Sequence, residues 1–215
     1  HAYRLADAHL TLAELLKQRG FSTAAFVSTF ILDSQFGLDQ GFDLYEDEIS
    51  GDHQVHGSFH ERKGDRTTQL ALEWLDDRQG DDFFLFLHYF DPHEDYEPPE
   101  PFADRFADNP YAGEIAFTDH CIGRVVQKLK DLGLYETTLI MVTGDHGELL
   151  GEHGEPTHSY FIYRGAIEVP WIVKLPGPNQ EDKSSEGNKS NQGKRIGQIA
   201  GLIDIVPTLC GLMGI

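Results

Sequence analysis

Cysteine is scarce in this chain. Only Cys121 and Cys210 occur among its 215 residues. Neither lies in a CxxC pair or in a spacing typical of metal sites, so the sequence gives no disulfide framework. It therefore leaves the cellular compartment open.

Positive charge and long apolar segments are also lacking. The 17 lysines and arginines stand against 36 acidic residues, a formal net charge of −19, and no basic stripe occurs. This balance argues against duplex nucleic acid and anionic membrane surfaces as partners. The longest apolar runs, such as residues 83–87 and 170–173, fall far short of the ~20 residues that cross a bilayer, so we expect no membrane segment.

What the chain does have is enough apolar content to fold. Hydrophobic residues make up 40% of it, and its length suits one globular domain. We expect a single domain over residues 1–215, with a polar, low-complexity loop at 177–195 that stays flexible. Because His1 precedes a helical pattern without an initiator Met or a signal-type segment, the sequence suggests an internal fragment or a processed chain.

Helical and strand patterns alternate along the chain. Short apolar runs alternate with segments whose apolar residues recur at helical spacing. Residues 36–60 show no sustained periodicity and are interpreted as surface loop with a little local structure. Thr11 and Asp204 are expected to cap helices. This order predicts an α/β fold with a mainly parallel sheet and helices on both faces. We predict helices at 9–19, 65–79, 111–132 and 203–213, and strands at 21–27, 83–87 (the central strand), 138–143 and 170–175.

The sharpest candidate site follows the predicted strand 138–143. Asp145 and His146 come directly after it, between Gly144 and Gly147. A carboxylate and an imidazole on a tight turn can bind one divalent ion, and the small neighbours let a ligand approach. The competing interpretation is a solvated turn with Asp145 as a helix cap, and the pattern alone favours neither.

Four histidines follow the strands. His88 lies in strand register and is interpreted as a packed residue, whereas His93 sits in a proline-stiffened loop that suits contact with an anionic ligand. Ligands of open α/β sheets bind at the carboxyl ends of the strands, so these two strand ends are expected to form one site. His153 and His158 lie in the Gly-rich segment GEHGEPTHSYFIY and suggest a wall of that site, although a solvated loop position is the simpler interpretation of His153.

Six sequence segments, taken in their order along the chain, resemble those of a known protein family. They are TLAELLKQRGFSTAAFVS, FGLDQGFDLYED, FFLFLHYFDPHEDYEPPEPF, GLYETTLIMVTGDHGELLGEHGEPTHSYFIY, VPWIVKLPG and IDIVPTLCGLMGI. Together they resemble the sulfatase family of the alkaline phosphatase superfamily over nearly the whole chain. The resemblance implies an alkaline phosphatase-like core and a metal-dependent hydrolase that acts on small-molecule or glycan sulfate esters.

The resemblance also implies roles for particular residues. Asp145 and His146 match the family's ligands of a divalent ion, usually calcium, with Mg, Mn and Zn as alternatives. His93 matches the loop histidine that contacts the sulfuryl or phosphoryl oxygens. His158 matches the Lys or His that does the same or protonates the leaving oxygen. Such cations stabilise the charge that develops in an in-line displacement.

The chain departs from the family pattern in three places. The family's upstream acidic metal-binding motif, and its Cys or Ser in a C/S-x-P/A-x-R motif that becomes formylglycine, do not occur in this sequence. We expect the chain to be N-terminally incomplete and, as it stands, inactive. Val27, Ser28 and Thr29 replace the expected Lys and His, as in a subset of bacterial relatives, and Glu168 replaces a commonly basic residue.

Two alternatives remain open. His146 stands where many sulfatases have Asn, which suggests a phosphodiester or phosphonate monoester hydrolase of the same superfamily. The missing nucleophile motif suggests a catalytically inactive module that only binds anions or partners. The sequence does not determine the oligomeric state.

Overall fold

The structure is a computed structural model that describes residues 3–49, 53–55, 59–78, 80–158, 160–177 and 193–215. Most of the loop expected at 177–195 lies outside the described residues. The chain forms two compact units, His1–Gly133 and Leu134–Ile215. The expectation of a single domain stays a prediction. In the described part of the chain, no helix is long and apolar enough to cross a membrane.

The first unit contains a parallel sheet of three strands. They are β1 (Ser22–Phe26), β2 (Leu44–Glu46) and β5 (Phe83–Leu87), in the order β2-β1-β5. Residues Ala24, Ala25 and Phe26 of β1 are almost completely buried, as expected of a strand that is covered on both sides. β1 is therefore the middle strand of this sheet, and the predicted central strand, β5, pairs with β1 alone among the described strands.

The first unit also contains helices that alternate with its strands. They are α1 (Leu12–Lys17), α2 (Gly64–Asp76), α3 (Phe102–Arg105) and α4 (Pro110–Asp131). Thr11 caps α1, and Glu14 returns the bond in a capping box, as its sequence position predicts. α4 begins at Asn109 and Pro110 and buries Phe117, Cys121, Val125 and Leu129, which recur at helical spacing. The strands β3 (His53–Val55) and β4 (Phe59–Glu61) form a separate antiparallel pair.

The second unit is built on an antiparallel pair of strands. β6 (Ile140–Thr143) pairs with β7 (Trp171–Lys174), and the helices are α5 (Arg164–Ile167) and α6 (Ile205–Met213). β7 therefore runs antiparallel to its partner, unlike the parallel strands of the first unit. Asp204 stands at the N-cap position of α6, but its carboxylate accepts from the backbone N–H of Gly201 at 2.8 Å rather than from the helix.

In the first unit, the segment 36–60 holds more regular structure than its sequence pattern indicates. The segment 36–60, interpreted as loop, contains β2 and β3, and β4 begins inside it. β2 has only three residues, so it has no periodicity for a sequence pattern to detect. Its register is fixed instead by β1, to which it pairs from Ala24 to Phe26.

Candidate active site

The loop that carries His93 follows the carboxyl end of β5. A buried glutamate of α4 holds this loop: the Glu114 side chain is 1% exposed, and its carboxylate accepts from the backbone N–H of His93 at 3.0 Å and of Glu97 at 2.8 Å. At the start of the loop, the Asp91 carbonyl accepts from the Thr118 hydroxyl, which also belongs to α4. The His93 backbone is thus tied to a long helix and does not depend on loop contacts alone.

A lysine lies among the acidic groups beneath this loop. The Nζ atom of Lys63 is 3.2 Å from Glu61, 3.2 Å from Asp91 and 3.7 Å from Glu114. Burial acts to lower the pKa of Lys63, but the three carboxylates outweigh it and the pKa is raised. Burial raises the pKa of Glu114. Through its three ion pairs, Lys63 joins β4, the His93 loop and α4.

The ring of His93 is oriented by two local contacts. It stacks on Phe90, with ring centroids 4.1 Å apart. Its Nδ1 lies 2.6 Å from the carbonyl oxygen of Glu94. Because a carbonyl oxygen can only accept, Nδ1 carries the proton in this contact, and a ligand would be met through Nε2.

His88, the first histidine after β5, has the packed position that its strand register predicts. Its backbone N–H donates to Phe26 and continues the ladder between β1 and β5. Its carbonyl accepts from the hydroxyl of Ser28, a residue with no exposed surface. His88 is thus part of the strand packing.

Asp145 and His146 form an exposed turn at the end of β6, in the second unit. Their side chains are 78% and 43% exposed, and Asp145 Oδ1 is 3.7 Å from His146 Nε2. His146 Nδ1 donates to the carbonyl of Gly147 at 2.9 Å. Asp145 Oδ1 accepts from the backbone N–H of His146 and not from a following helix, so the turn is not a helix cap.

The donor set of this turn can be tested against a divalent ion. One carboxylate oxygen and one imidazole nitrogen 3.7 Å apart could both reach an ion at bond lengths of ~2.0 to 2.6 Å, and a histidine ligand commonly donates its other N–H to a carbonyl. The two donors fit the chemistry. Within the described ranges, however, no group of three or more His, Cys, Asp or Glu side chains is placed to hold a metal.

His158 packs directly against this turn. Its ring lies on the ring of His146, with centroids 4.0 Å apart. Its Nδ1 is 3.2 Å from both carboxylate oxygens of Glu148, and its backbone N–H donates to the same carboxylate at 2.6 Å. The structure thus brings three of the sequence-predicted site residues, Asp145, His146 and His158, into one cluster.

His153 lies apart from this contact. It is exposed, its backbone is left-handed with φ of 58°, and its ring stacks on Tyr163 at 4.0 Å. Among the other candidates, His93 belongs to the first unit, at the end of β5, whereas Asp145, His146 and His158 belong to the second.

Two acidic residues of the site were missed by the sequence reasoning. Glu114 lies in the middle of α4, and Glu148 follows the Asp145 turn. No pattern singles out either carboxylate, because each acts through partners that are 10 to 21 residues away along the chain. Only the folded chain brings these partners together.

Comparison with known proteins decides the family. The sulfatase family model matches residues 4–215. The chain belongs to the sulfatase family. The expected resemblance is therefore confirmed.

Relatives of this sulfatase-family chain act on different esters, as their names state. Human iduronate 2-sulfatase is 29% identical over 155 residues, which cover 66% of this chain and 27% of that protein. The phosphonate monoester hydrolase of Agrobacterium radiobacter has a TM-score of 0.76 at 18% identity, covering 98% of this chain and 59% of that structure. The α/β, alkaline phosphatase-like fold is thus confirmed.

Another similar structure is that of a protein bound to its own substrate, the sulfated sugar D-glucosamine-2-N,6-O-disulfate. It has a TM-score of 0.72 at 19% identity, covering 100% of this chain and 63% of that structure. The chain spans only about a quarter to a third of the first curated relatives it matches, 27% and 34% for two of them.

The family departures after β1 have a structural explanation. Val27 and Ser28 have no exposed surface and Thr29 is 6% exposed. The Ser28 hydroxyl is within 2.8 Å of the Thr67 hydroxyl of α2. The same Ser28 hydroxyl lies against the carbonyl of His88, just after β5. Glu168, in contrast, is exposed and pairs with Arg164 at 2.6 Å.

Proposed function

We propose that this chain is part of a metal-dependent hydrolase of sulfate esters. The observation that carries the proposal is the cluster in which the His158 ring lies 4.0 Å from the ring of His146, beside Asp145. It sets an anion-binding imidazole next to two donors for a divalent ion, within a chain of the sulfatase family. The substrate class is a small-molecule or glycan sulfate ester, in keeping with the sulfated sugar bound by a similar structure.

Asp145 and His146 would hold the divalent ion, with calcium as the first choice and Mg, Mn and Zn as alternatives. Bound there, the ion would supply positive charge for an ester oxygen. The formylglycine nucleophile is expected from a segment outside this sequence, and we propose that the 215 residues alone are inactive.

The histidines act on the oxygens of the ester. His93 and His158 each have Nδ1 bonded to the chain itself, so each would meet an ester oxygen through Nε2. With Nδ1–H already bonded to the chain, each ring donates from Nε2 as the cationic imidazolium. An N–H donor directed at an oxygen on which charge develops stabilises the transition state more than the ground state. His158 is additionally proposed to give a proton to the leaving oxygen.

The test uses the native full-length protein and 4-nitrophenyl sulfate. We expect hydrolysis that is lost after chelation and restored by calcium. His158→Ala and His93→Ala should each lower kcat/KM by ~10²- to 10⁴-fold. His9→Ala, which removes an exposed imidazole near the N-terminus, is the matched control and should leave the rate unchanged. Full activity of His158→Ala, or activity that survives chelation, would contradict the proposal.

A second candidate function is hydrolysis of phosphonate monoesters or phosphodiesters. It is favoured by His146 at the metal motif and by the fold of the phosphonate monoester hydrolase. Rates of the full-length protein on 4-nitrophenyl sulfate and on a 4-nitrophenyl phosphonate monoester separate the two. A dominant phosphonate rate selects the second function, and no rate on either ester selects the third alternative, an inactive anion-binding module.

A further inference from the structure

Glu148 is a nearly buried carboxylate whose acceptor positions are aimed at one short segment. Its side chain is 7% exposed. Oε1 accepts from the backbone N–H groups of Leu149 at 3.0 Å and His158 at 2.6 Å, and from the Thr157 hydroxyl at 3.3 Å. The backbone next to the His158 ring is therefore fixed by the same carboxylate that faces the ring.

The contact with the ring decides which nitrogen carries a proton. His158 Nδ1 is 3.2 Å from Oε1 and 3.2 Å from Oε2. A carboxylate accepts and has no proton to donate, so Nδ1–H is the donor. The same assignment holds for the neutral and the cationic ring, because in both of them Nδ1 keeps its proton.

The neighbouring His146 also has its Nδ1 bonded to the protein, but to a backbone carbonyl. Its Nδ1 donates to the carbonyl of Gly147. The two neighbouring rings, inclined by 32° to each other, thus both have Nδ1 tied to the protein and would meet ligands through Nε2. Only for His158 is the tie a side chain, which can be replaced by mutation without changing the backbone.

We propose that Glu148 is the positioning residue of His158. Its carboxylate holds the Nδ1–H group and keeps the ring beside that of His146, so that Nε2 is the nitrogen directed at the ester oxygen and, in the cationic ring, carries the proton that is donated. This inference rests on the proposed function for the role of His158, but the tautomer itself can be measured without any substrate. Partners that orient a metal-ligating histidine are commonly worth ~10- to 100-fold in activity, and we expect a loss of similar size here.

The first experiment is ¹⁵N NMR of the full-length protein with labelled histidine, since the two tautomers give distinct patterns of nitrogen shifts. We expect Nδ1–H for the neutral His158 ring. In Glu148→Gln the amide N–H₂ can face Nδ1 while the amide oxygen keeps the backbone bond, so the ring should change to Nε2–H. The matched control is Glu152→Gln: that carboxylate lies in the same segment but accepts from the N–H of Leu150.

The second experiment is kinetic. On 4-nitrophenyl sulfate, Glu148→Gln should lower kcat by ~10- to 100-fold with KM within about 3-fold, and Glu152→Gln should match the wild type. A merely structural role of Glu148 would lower the melting temperature and leave the tautomer and kcat unchanged.

The outcomes separate the two proposals. An Nε2–H tautomer in the wild-type protein, or an unchanged tautomer in Glu148→Gln, overturns the positioning role whatever the activity. The expected tautomers together with full activity of His158→Ala confirm the contact between Glu148 and His158, but they overturn the function of that contact and the proposed role of His158.

Discussion

Lys63 is a largely buried cation, and its removal would leave three buried carboxylates without its positive charge. Its side chain is 20% exposed, and those of Glu61, Asp91 and Glu114 are 9%, 3% and 1% exposed. Lys63→Met should lower the free energy of unfolding by ~3 kcal/mol, because uncompensated buried charge is costly. Urea unfolding of Lys63→Met and of the control Lys17→Met measures this.

The control has the same chemistry at the surface. Lys17 pairs with Asp43 at 2.7 Å, but the two side chains are 47% and 49% exposed. Lys17→Met should therefore cost ~0 to 1 kcal/mol. Equal losses in the two variants would show that the buried cluster is no more dependent on its cation than a surface pair.

Gly147 is a position where one added carbon atom would clash with the backbone. A Cβ there would lie 2.0 Å from the carbonyl oxygen of Gly165 and 3.0 Å from that of Glu168, so the backbone would have to move. Gly147→Ala should destabilise the protein by ~2 kcal/mol or more and displace the Asp145 turn. Gly123→Ala is the control: the position is open, in helix α4, and the change should stabilise by ~0.5 to 1 kcal/mol. Thermal unfolding of both variants measures the direction of each change in stability. An unchanged melting temperature for Gly147→Ala would contradict the predicted clash with the Gly165 carbonyl.

At the scale of elements, α4 carries a carboxyl group, that of Glu114, which makes the free energy of unfolding depend on pH. Burial raises the pKa of Glu114, so between the unfolded value of about 4.3 and the raised value the folded protein binds more protons than the unfolded chain. The free energy of unfolding then falls as pH rises through this window. The difference in stability between wild type and Glu114→Gln should fall in the same direction. Urea unfolding from pH 4 to 8 measures it, and a rising difference for Glu114→Gln would contradict the assignment.

The helices and the longer strands of the fold could be predicted from the sequence, because each has its own signal. The apolar run Phe83–Leu87 and the capped helix after Thr11 both stand where their patterns place them. β2 has three residues and forms only because β1 offers it a partner, and the direction of β7 depends on its pairing with β6. Pairing of this kind is tertiary, and local periodicity does not contain it.

The site could be predicted only in part, for a related reason. Asp145 and His146 are neighbours in the sequence, and their turn follows a strand, so a local motif is enough to find them. Glu148 faces His158 across ten residues whose regular structure, in the described part, is one short 3₁₀ turn at Glu152–Gly154. The proline-rich loop of His93 indicated stiffness, but the support comes from Glu114, which is 21 residues further along the chain.

For the whole molecule, the net charge of −19 predicts a response to salt. Like charges repel in the compact state, and at 0.1 M salt this repulsion is largely screened between charges more than about 10 Å apart. Raising NaCl from 50 to 500 mM at pH 7 should raise the melting temperature by ~2 to 5 °C. At pH 5, close to the pI of 4.8, the same salt step should have little effect. A melting temperature that falls with salt at pH 7 would show that attractive ion pairs outweigh the repulsion.

The bonds from His93 and Glu97 to Glu114 also have a consequence for motion. Amide protons in a loop normally exchange with solvent deuterium within moments, since local openings cost almost nothing. These two amides donate to a carboxylate with 1% exposure on a helix of 22 residues. Their exchange requires α4 to separate from the loop, so they should exchange as slowly as amides of the helix interior. The loop that presents His93 thus opens only together with the core of its unit.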